Sequence, residues 1–230
     1  MHGLELIETL KNLPPHTPAA VFLRHAERYP ITDAAAPHLP ELTPKGVADA
    51  EAFGAKLQGF DCIRLFHSPV VRCRQTAEAI ARSAASSGHA VEIAGPEDAL
   101  GPGYILDSAE AGRLTIQHRE HFVRLWLTGE IAPAVIRRAV ELASLKINYV
   151  MERLQQPCPR GRRLDLHVSH DWNILALREL LCAVRHEDVG WLDFLDGIAF
   201  SPRDDGRVQV IYRDRAITHA LPWNSQSPLS

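Results

Sequence analysis

The sequence predicts an α/β fold, with a mostly parallel central sheet flanked by helices and a helical insertion over one edge. Three observations predict it. Short apolar runs of strand length recur at residues 19–23, 62–66, 90–94 and 164–169. The segments between the first three carry helical spacing, and strands that alternate with helices over short links pair in parallel. From Leu114 to Gln156 the apolar residues keep helical spacing throughout, which reads as an insertion before the fourth strand.

Each element has its own signal. Residues 4–13 read as a short helix ended by the turn-forming Pro14-Pro15-His16-Thr17-Pro18. The strand Ala19-Ala20-Val21-Phe22-Leu23 follows, and the Ala- and Pro-rich stretch between Tyr29 and Leu42 is expected to wrap as an ordered loop at the strand end. Thr43-Pro44-Lys45-Gly46 offers an N-cap threonine with proline at the first helical position, and Val47, Ala50, Phe53, Gly54 and Leu57 continue the helix. After the second strand, Cys62-Ile63-Arg64-Leu65-Phe66, Ser68 is the expected cap of a helix over about 71–83. The third strand covers 90–94. Phe122, Leu125 and Trp126, then Ile136 to Leu154, place a helical cap at about 100–162 of a single domain spanning 1–230. A fourth strand at 164–169 leads into a helix over 172–184, and 197–201 with 208–212 around Asp205-Gly206 reads as a hairpin.

Composition bounds the partners. A chain of 230 residues, 46% hydrophobic and 23% charged, is long enough to bury a full core as one globular domain. Its net charge of -3 argues against nucleic acid or an anionic membrane as the main partner, because both select clustered positive charge. The first residues carry acids where an export signal carries basic ones, and no apolar run approaches bilayer length, so a cytoplasmic location is expected. Cys62, Cys73, Cys158 and Cys182 are too far apart for a zinc knuckle or a redox pair, and free buried thiols are expected. His118-x-x-His121 and His167-x-x-His170 have metal-compatible spacing but no third ligand, so no metal is expected. His118 and His121 read as solvated helix positions. The apolar faces at 122–126 and 136–154 allow a homodimer contact, with packing inside the cap the more economical reading.

The chemistry concentrates at three strand ends. Arg24-His25-Ala26-Glu27-Arg28-Tyr29-Pro30 comes straight off the first strand, at the sheet edge where open α/β folds place ligands. Guanidinium forks match phosphate oxygens, and a neutral imidazole among them can attack phosphorus. After the second strand, His67-Ser68-Pro69-Val70-Val71-Arg72 puts Arg72 in the first turn of a helix whose amide end favours an anion, while Arg74 faces elsewhere as a solvated arginine. The fourth strand delivers His170-Asp171-Trp172-Asn173, an imidazole followed directly by a carboxylate. Three such ends on one sheet outweigh the bland alternatives of capping and core packing.

These residues resemble the histidine phosphatase superfamily, with its phosphoglycerate-mutase-like fold. The Arg-His-Gly motif of that family matches Arg24-His25-Ala26, its second arginine motif matches Ser68-Pro69-Val70-Val71-Arg72, and its second histidine matches His170. Leu42-Thr43-Pro44-Lys45-Gly46 and Gln75-Thr76-Ala77 add to the likeness. Arg28-Tyr29-Pro30 and His170-Asp171-Trp172-Asn173 are similar to the acid phosphatase and phytase branch, whereas Glu27 and the modest length look more like the mutase branch. Ala26 departs from the usual glycine by a single methyl group.

The resemblance implies a metal-independent phosphatase acting on a small-molecule phosphomonoester through a phosphohistidine on His25. Arg24, Arg28, Arg72 and His170 hold the phosphoryl oxygens, and no cofactor is called for. Asp171 is the first choice as proton donor to the leaving oxygen. Asp107 is the alternative, preferred over Glu97, Asp98 and Glu110 in the segment where the mutase branch finds its acid. Two other functions stand beside the phosphatase: a phosphoglycerate-type mutase, and a non-catalytic binding protein for a phosphate ligand.

Overall fold

The computed structural model describes residues 3–33, 36–156 and 161–221, and among these residues it holds seven strands and eight helices. The strands are β1 (Ala19–Arg24), β2 (Cys62–His67), β3 (Ala90–Pro96), β4 (Arg163–Ser169), β5 (Gly197–Pro202), β6 (Val208–Tyr212) and β7 (Arg215–His219). The helices are α1 (Leu4–Lys11), α2 (Pro44–Gly54), α3 (Val71–Ser86), α4 (Ser108–His118), α5 (His121–Leu127), α6 (Ala139–Leu154), α7 (Asp171–Cys182) and α8 (His186–Val189). All seven strands join one sheet in the order β3-β2-β4-β1-β5-β6-β7. The predicted α/β class holds, with a parallel core, β3-β2-β4-β1, extended by three antiparallel strands. The hairpin at the C-terminal side is β5 and β6.

Alternation along β1 builds two cores at once. Ala20 and Phe22 enter a cluster with Phe122, Leu142, Ile174 and Leu177 from α5, α6 and α7. Val21 and Leu23 enter another, with Ile7, Phe53 and Ile80 from α1, α2 and α3. Both faces are covered, so a central strand must be apolar throughout its length. β4 obeys this at Leu164, Leu166 and Val168; Arg163, His167 and Ser169 break it, as does Asp165, which is fully buried. Its carboxylate is met by Arg64 at 2.8 Å and Arg163 at 3.1 Å, the pairing that a buried charge requires.

Several expectations change in detail. The sustained helical pattern from Leu114 to Gln156 breaks into α4, α5 and α6, because the chain reverses at Arg119 with a left-handed φ of 49° and leaves the helix over 128–138. Phe122, Trp126, Leu142 and Val150 are buried within the chain. α6 packs on α7 and β1, so part of the segment over 100–162 covers the sheet face itself. α7 stops at Cys182, where Ala183 adopts a left-handed conformation. β7 and α8 were not foreseen: β7 has few apolar residues because it is an edge strand paired on one side only. Among the described residues no helix is long and apolar enough to cross a membrane. Cys62, Cys73 and Cys182 are free and buried, and Cys158 lies outside the described residues.

Candidate active site

β1, β2 and β4 run parallel, so their three polar motifs emerge at one edge. Backbone bonds tie the exits together: the His25 amide donates to the Ser169 carbonyl at 3.1 Å, and the Ser68 amide donates to the Val168 carbonyl at 3.0 Å. Arg24, His25, Arg28, Arg72, His170 and Asp171 all line one cavity of about 530 Å³. Every residue expected to touch the phosphate is therefore brought together. A larger groove of 720 Å³ beside α1 and β6 is lined by Glu5, Glu8, Arg213 and Asp214 but by no imidazole.

Hydrogen-bond partners fix the tautomer of His25. Its Nδ1 lies 2.8 Å from the Ala26 carbonyl, which only accepts, so the ring proton sits there. Nε2 is left with its lone pair facing the cavity, where the Arg72 Nε–H donates to it at 3.0 Å. Burial pushes the His25 pKa well below its ordinary value; the Ala26 bond opposes this, and His170, Arg72 and Arg24 add to it. The ring is neutral at physiological pH, and its Nε2 accepts from Arg72 at the wall of the cavity.

His170 is held the opposite way round. Arg72 Nη2 approaches its Nδ1 at 3.4 Å and can only donate, so the proton sits on Nε2, 3.0 Å from the Ser68 hydroxyl oxygen. Burial, then Arg72, lowers its pKa to about 3, against a smaller opposing pull from Asp171. Ser68 thus serves as a partner for His170 rather than as a helix cap. The cap position of α3 is Val70, whose amide donates to the Ser68 hydroxyl at 3.3 Å.

The guanidinium groups converge from different elements. Arg72 sits in the first turn of α3 and also donates to the Pro37 carbonyl at 2.8 Å, tying the 29–42 loop to the site. Arg24 lies over the Phe194 ring at 4.4 Å, donates to the Leu192 carbonyl and pairs with Asp171 at 3.1 Å. Arg28 donates to the Tyr29 carbonyl at 2.8 Å. Arg24 Nε and Arg28 Nε are buried without a hydrogen-bond partner, two donors beside a cluster of cations. Such donors suit an oxyanion. The loop that carries Arg28 is closed at its base by Tyr29 and Thr43 amides donating to Glu41 and Glu27 carbonyls, both at 3.0 Å. Gly46 is required under that closure, since a Cβ there would stand 2.0 Å from the Glu27 carbonyl oxygen.

The acids separate cleanly. Asp171 is the one carboxylate among the residues lining the cavity; its two oxygens accept from the Trp172 amide at 3.0 Å and the Trp191 indole at 3.1 Å. It is the first residue of α7, and His170 occupies the cap position. Asp107 caps α4 by accepting from the Glu110 amide at 2.9 Å and does not line the cavity. Glu97 pairs with Arg153, and Glu110 pairs with Arg113. Glu27 accepts from the Thr43 hydroxyl at 2.8 Å and faces Lys45. Arg74 pairs with Glu78 on the exposed side of α3.

Thr76 is the contributor whose role the sequence motif left unspecified. Its hydroxyl donates to the Arg72 carbonyl at 2.7 Å and accepts from the Ala26 amide at 3.0 Å, joining the two phosphate-facing segments. The apolar walls also escaped the motifs: Tyr104, Ile105 and Trp172 line the cavity, alongside Ile31 and Pro37 from the loop expected to shape it. Among the described residues, the one His/Asp/Glu group spaced to hold a metal is Glu179, His186 and Glu187; none lines the cavity, and Arg124 already pairs with both carboxylates.

Comparison with known proteins agrees with this edge of the sheet. Residues 20–93, which hold the first two motifs, match the histidine phosphatase superfamily (branch 1). No curated protein sequence matches the chain. Among solved structures, mycobacterial hydrolase 1 aligns over 86% of this chain and 99% of its own, with a TM-score of 0.60 at 17% identity. The phosphate complex of a mycobacterial glucosyl-3-phosphoglycerate phosphatase aligns over 92% of this chain and 100% of its own, with a TM-score of 0.54 at 18% identity. YhfR of Bacillus stearothermophilus aligns over 81% and 92%, with a TM-score of 0.54 at 14% identity. Identities this low speak for the fold, which is the one the motif resemblance implied.

Proposed function

We propose, from the premise of a histidine phosphatase fold and a superfamily match over its first two motifs, that this chain is a metal-independent phosphatase. The reading is of one domain over 1–230 that hydrolyses a small phosphomonoester through a phosphohistidine on His25. One observation carries it: the neutral His25 ring is pinned through Nδ1 with Nε2 aimed at a cavity walled by Arg24, Arg28 and Arg72. A nucleophile among fixed cations is what in-line phosphoryl transfer needs.

In the first step His25 Nε2 attacks phosphorus, the P–N bond forms and the ester P–O bond breaks. Arg24, Arg28 and Arg72 hold the equatorial oxygens as charge spreads over them, and His170 joins them as the phosphoryl dianion favours its protonated form, with Nδ1–H turned from Arg72 to an oxygen. Asp171 gives the departing oxygen its proton, so an alcohol leaves. In the second step Asp171 takes a proton from water as the water attacks phosphorus; the P–N bond breaks and inorganic phosphate is released. Asp171 supports this role as the one acid lining the cavity among the described residues, with Arg24 and the Trp191 indole fixing its orientation.

The test is phosphate release from p-nitrophenyl phosphate in the presence of a chelator, wild type against His25→Ala, with an alkaline denaturing quench of a radiolabelled phosphoester to trap the alkali-stable, acid-labile phosphohistidine. Turnover and trapped label that both vanish in His25→Ala are expected. Label that forms but passes to a second phosphoester rather than to water would make the protein a mutase. Binding of phosphate without label or turnover would make it a binding protein.

A further inference from the structure

The lining of the cavity is of two kinds. Arg24, Arg28 and Arg72 with His25, His170 and Asp171 make the charged and imidazole part; the rest includes Tyr104, Ile105, Trp172, Ile31 and Val70, with Ser108 and His38 as its polar side chains. Among the described residues no lysine lines the cavity, and no arginine beyond those three. The aromatic wall is backed in depth. Tyr104 stacks on Trp126 at 5.9 Å between centroids, Trp126 stacks on Trp172 at 5.7 Å, and Phe122 lies 5.6 Å from Trp172. Trp126 and Phe122 are buried, so Tyr104 and Trp172 form a rigid platform rather than two mobile side chains. Two further cations, Arg137 and Lys146, line a second cavity that shares Gly103 and Tyr104 as walls, and the Lys146 ammonium donates to the Ala99 carbonyl.

A second phosphate or a carboxylate on the leaving group would meet this largely apolar lining unpaired, and losing its water there is costly. An uncharged ring or branched chain would gain the burial instead. Resting on the phosphatase reading above, we infer that the substrate class is phosphomonoesters whose alcohol is uncharged and mostly apolar, with a flat or cyclic group next to the ester oxygen. Phosphorylated acids such as phosphoglycerates fall outside it.

Benzyl phosphate, glycerol 3-phosphate and 3-phosphoglycerate test this, because all three are esters of unactivated primary alcohols and differ chiefly in what the wall must accept. Benzyl phosphate is expected to exceed the other two by at least about tenfold in kcat/KM, mostly through KM, a gain consistent with burying a few apolar groups. Ile31 is 38% exposed, so Ile31→Lys is expected to fold normally and to narrow the ratio against 3-phosphoglycerate at least about threefold, the effect of roughly one partly exposed charge pair. Calorimetry with benzylphosphonate and with inorganic phosphate reads the same preference without turnover. Equal or better use of 3-phosphoglycerate overturns the inference and leaves the phosphatase standing. Hydrolysis of none of the esters, with benzylphosphonate bound more tightly than phosphate, overturns the phosphatase and supports the ligand class. Benzylphosphonate bound no better than phosphate overturns the inference whichever ester is hydrolysed.

Discussion

His167 and His170 stand three residues apart, the first inside β4 and the second just past its end, and their surroundings could hardly differ more. Both are buried and both have pKa values lowered chiefly by burial. His167 sits between aromatic rings, stacked on Phe66 at 4.9 Å and near Phe22 and Tyr149, with neither ring nitrogen hydrogen-bonded. His170 meets Ser68 through one nitrogen and Arg72 through the other, and lines the cavity. A buried imidazole with a shifted pKa is therefore no mark of a site by itself. Position relative to the strand end decides, because a mid-strand side chain faces the packed layer while the residue after the strand faces the open edge.

The sharpest break of that comparison comes from variants of the three buried histidines. His25→Ala is expected to lower kcat by more than about 10³-fold, and His170→Ala by a comparable order, whereas His167→Leu retains kcat within about twofold. Loss of turnover in His167→Leu with an unchanged melting temperature would erase the distinction. Asp171→Asn comes next, with kcat reduced by about 10²–10⁴-fold on alkyl phosphates and less on p-nitrophenyl phosphate, whose leaving group needs little protonation. Equal losses on both substrates would assign Asp171 to holding Arg24 rather than to proton transfer.

Acid stability sharpens the same contrast from the folding side. His25, His167 and His170 all have folded pKa values below the ordinary 6.5 of an unfolded imidazole. As pH falls below 6.5, the unfolded chain takes up protons that the folded chain refuses. Their contribution to stability is thus complete above about 6.5 and is lost on acidification, down to about 3 in the case of His170. Each imidazole is expected to add roughly 1 kcal/mol per pH unit to that slope, so urea midpoints measured between pH 7 and pH 4 should fall less steeply in His167→Leu than in wild type. Parallel slopes would mean that His167 is not held neutral.

Smaller effects probe the supports. Thr76→Val leaves the Ala26 amide without its acceptor and is expected to cost about 1–3 kcal/mol, with a drop in kcat as Arg72 and His25 lose their shared brace. Thr43→Ala removes the hydroxyl that accepts from Gly46 and donates to Glu27, at about 1 kcal/mol, with kcat unchanged. Both are read by denaturant titration beside steady-state assays.

Local periodicity and end signals were enough to determine most of the elements of this protein and the polar ends of β1, β2 and α7. The Thr43 cap was legible to the residue, since its side chain, the following proline and the helical spacing are all local. Arg24, His25, Arg28, Arg72, His170 and Asp171 were legible as a set because each follows a strand, and parallel strands end together. Tertiary structure alone decided the rest. Whether Ser68 capped a helix or held His170, and whether Asp107 entered the cavity or capped α4, turned on contacts between segments about a hundred residues apart or on the direction of one side chain. Edge strand β7 and the break of the long helical pattern into α4, α5 and α6 were set by pairing and packing partners that no window of sequence contains. Tyr104 and Trp172 became a wall of the cavity for the same reason: an aromatic side chain reads as core wherever it falls, and only the assembled fold decides which of them also borders a cavity.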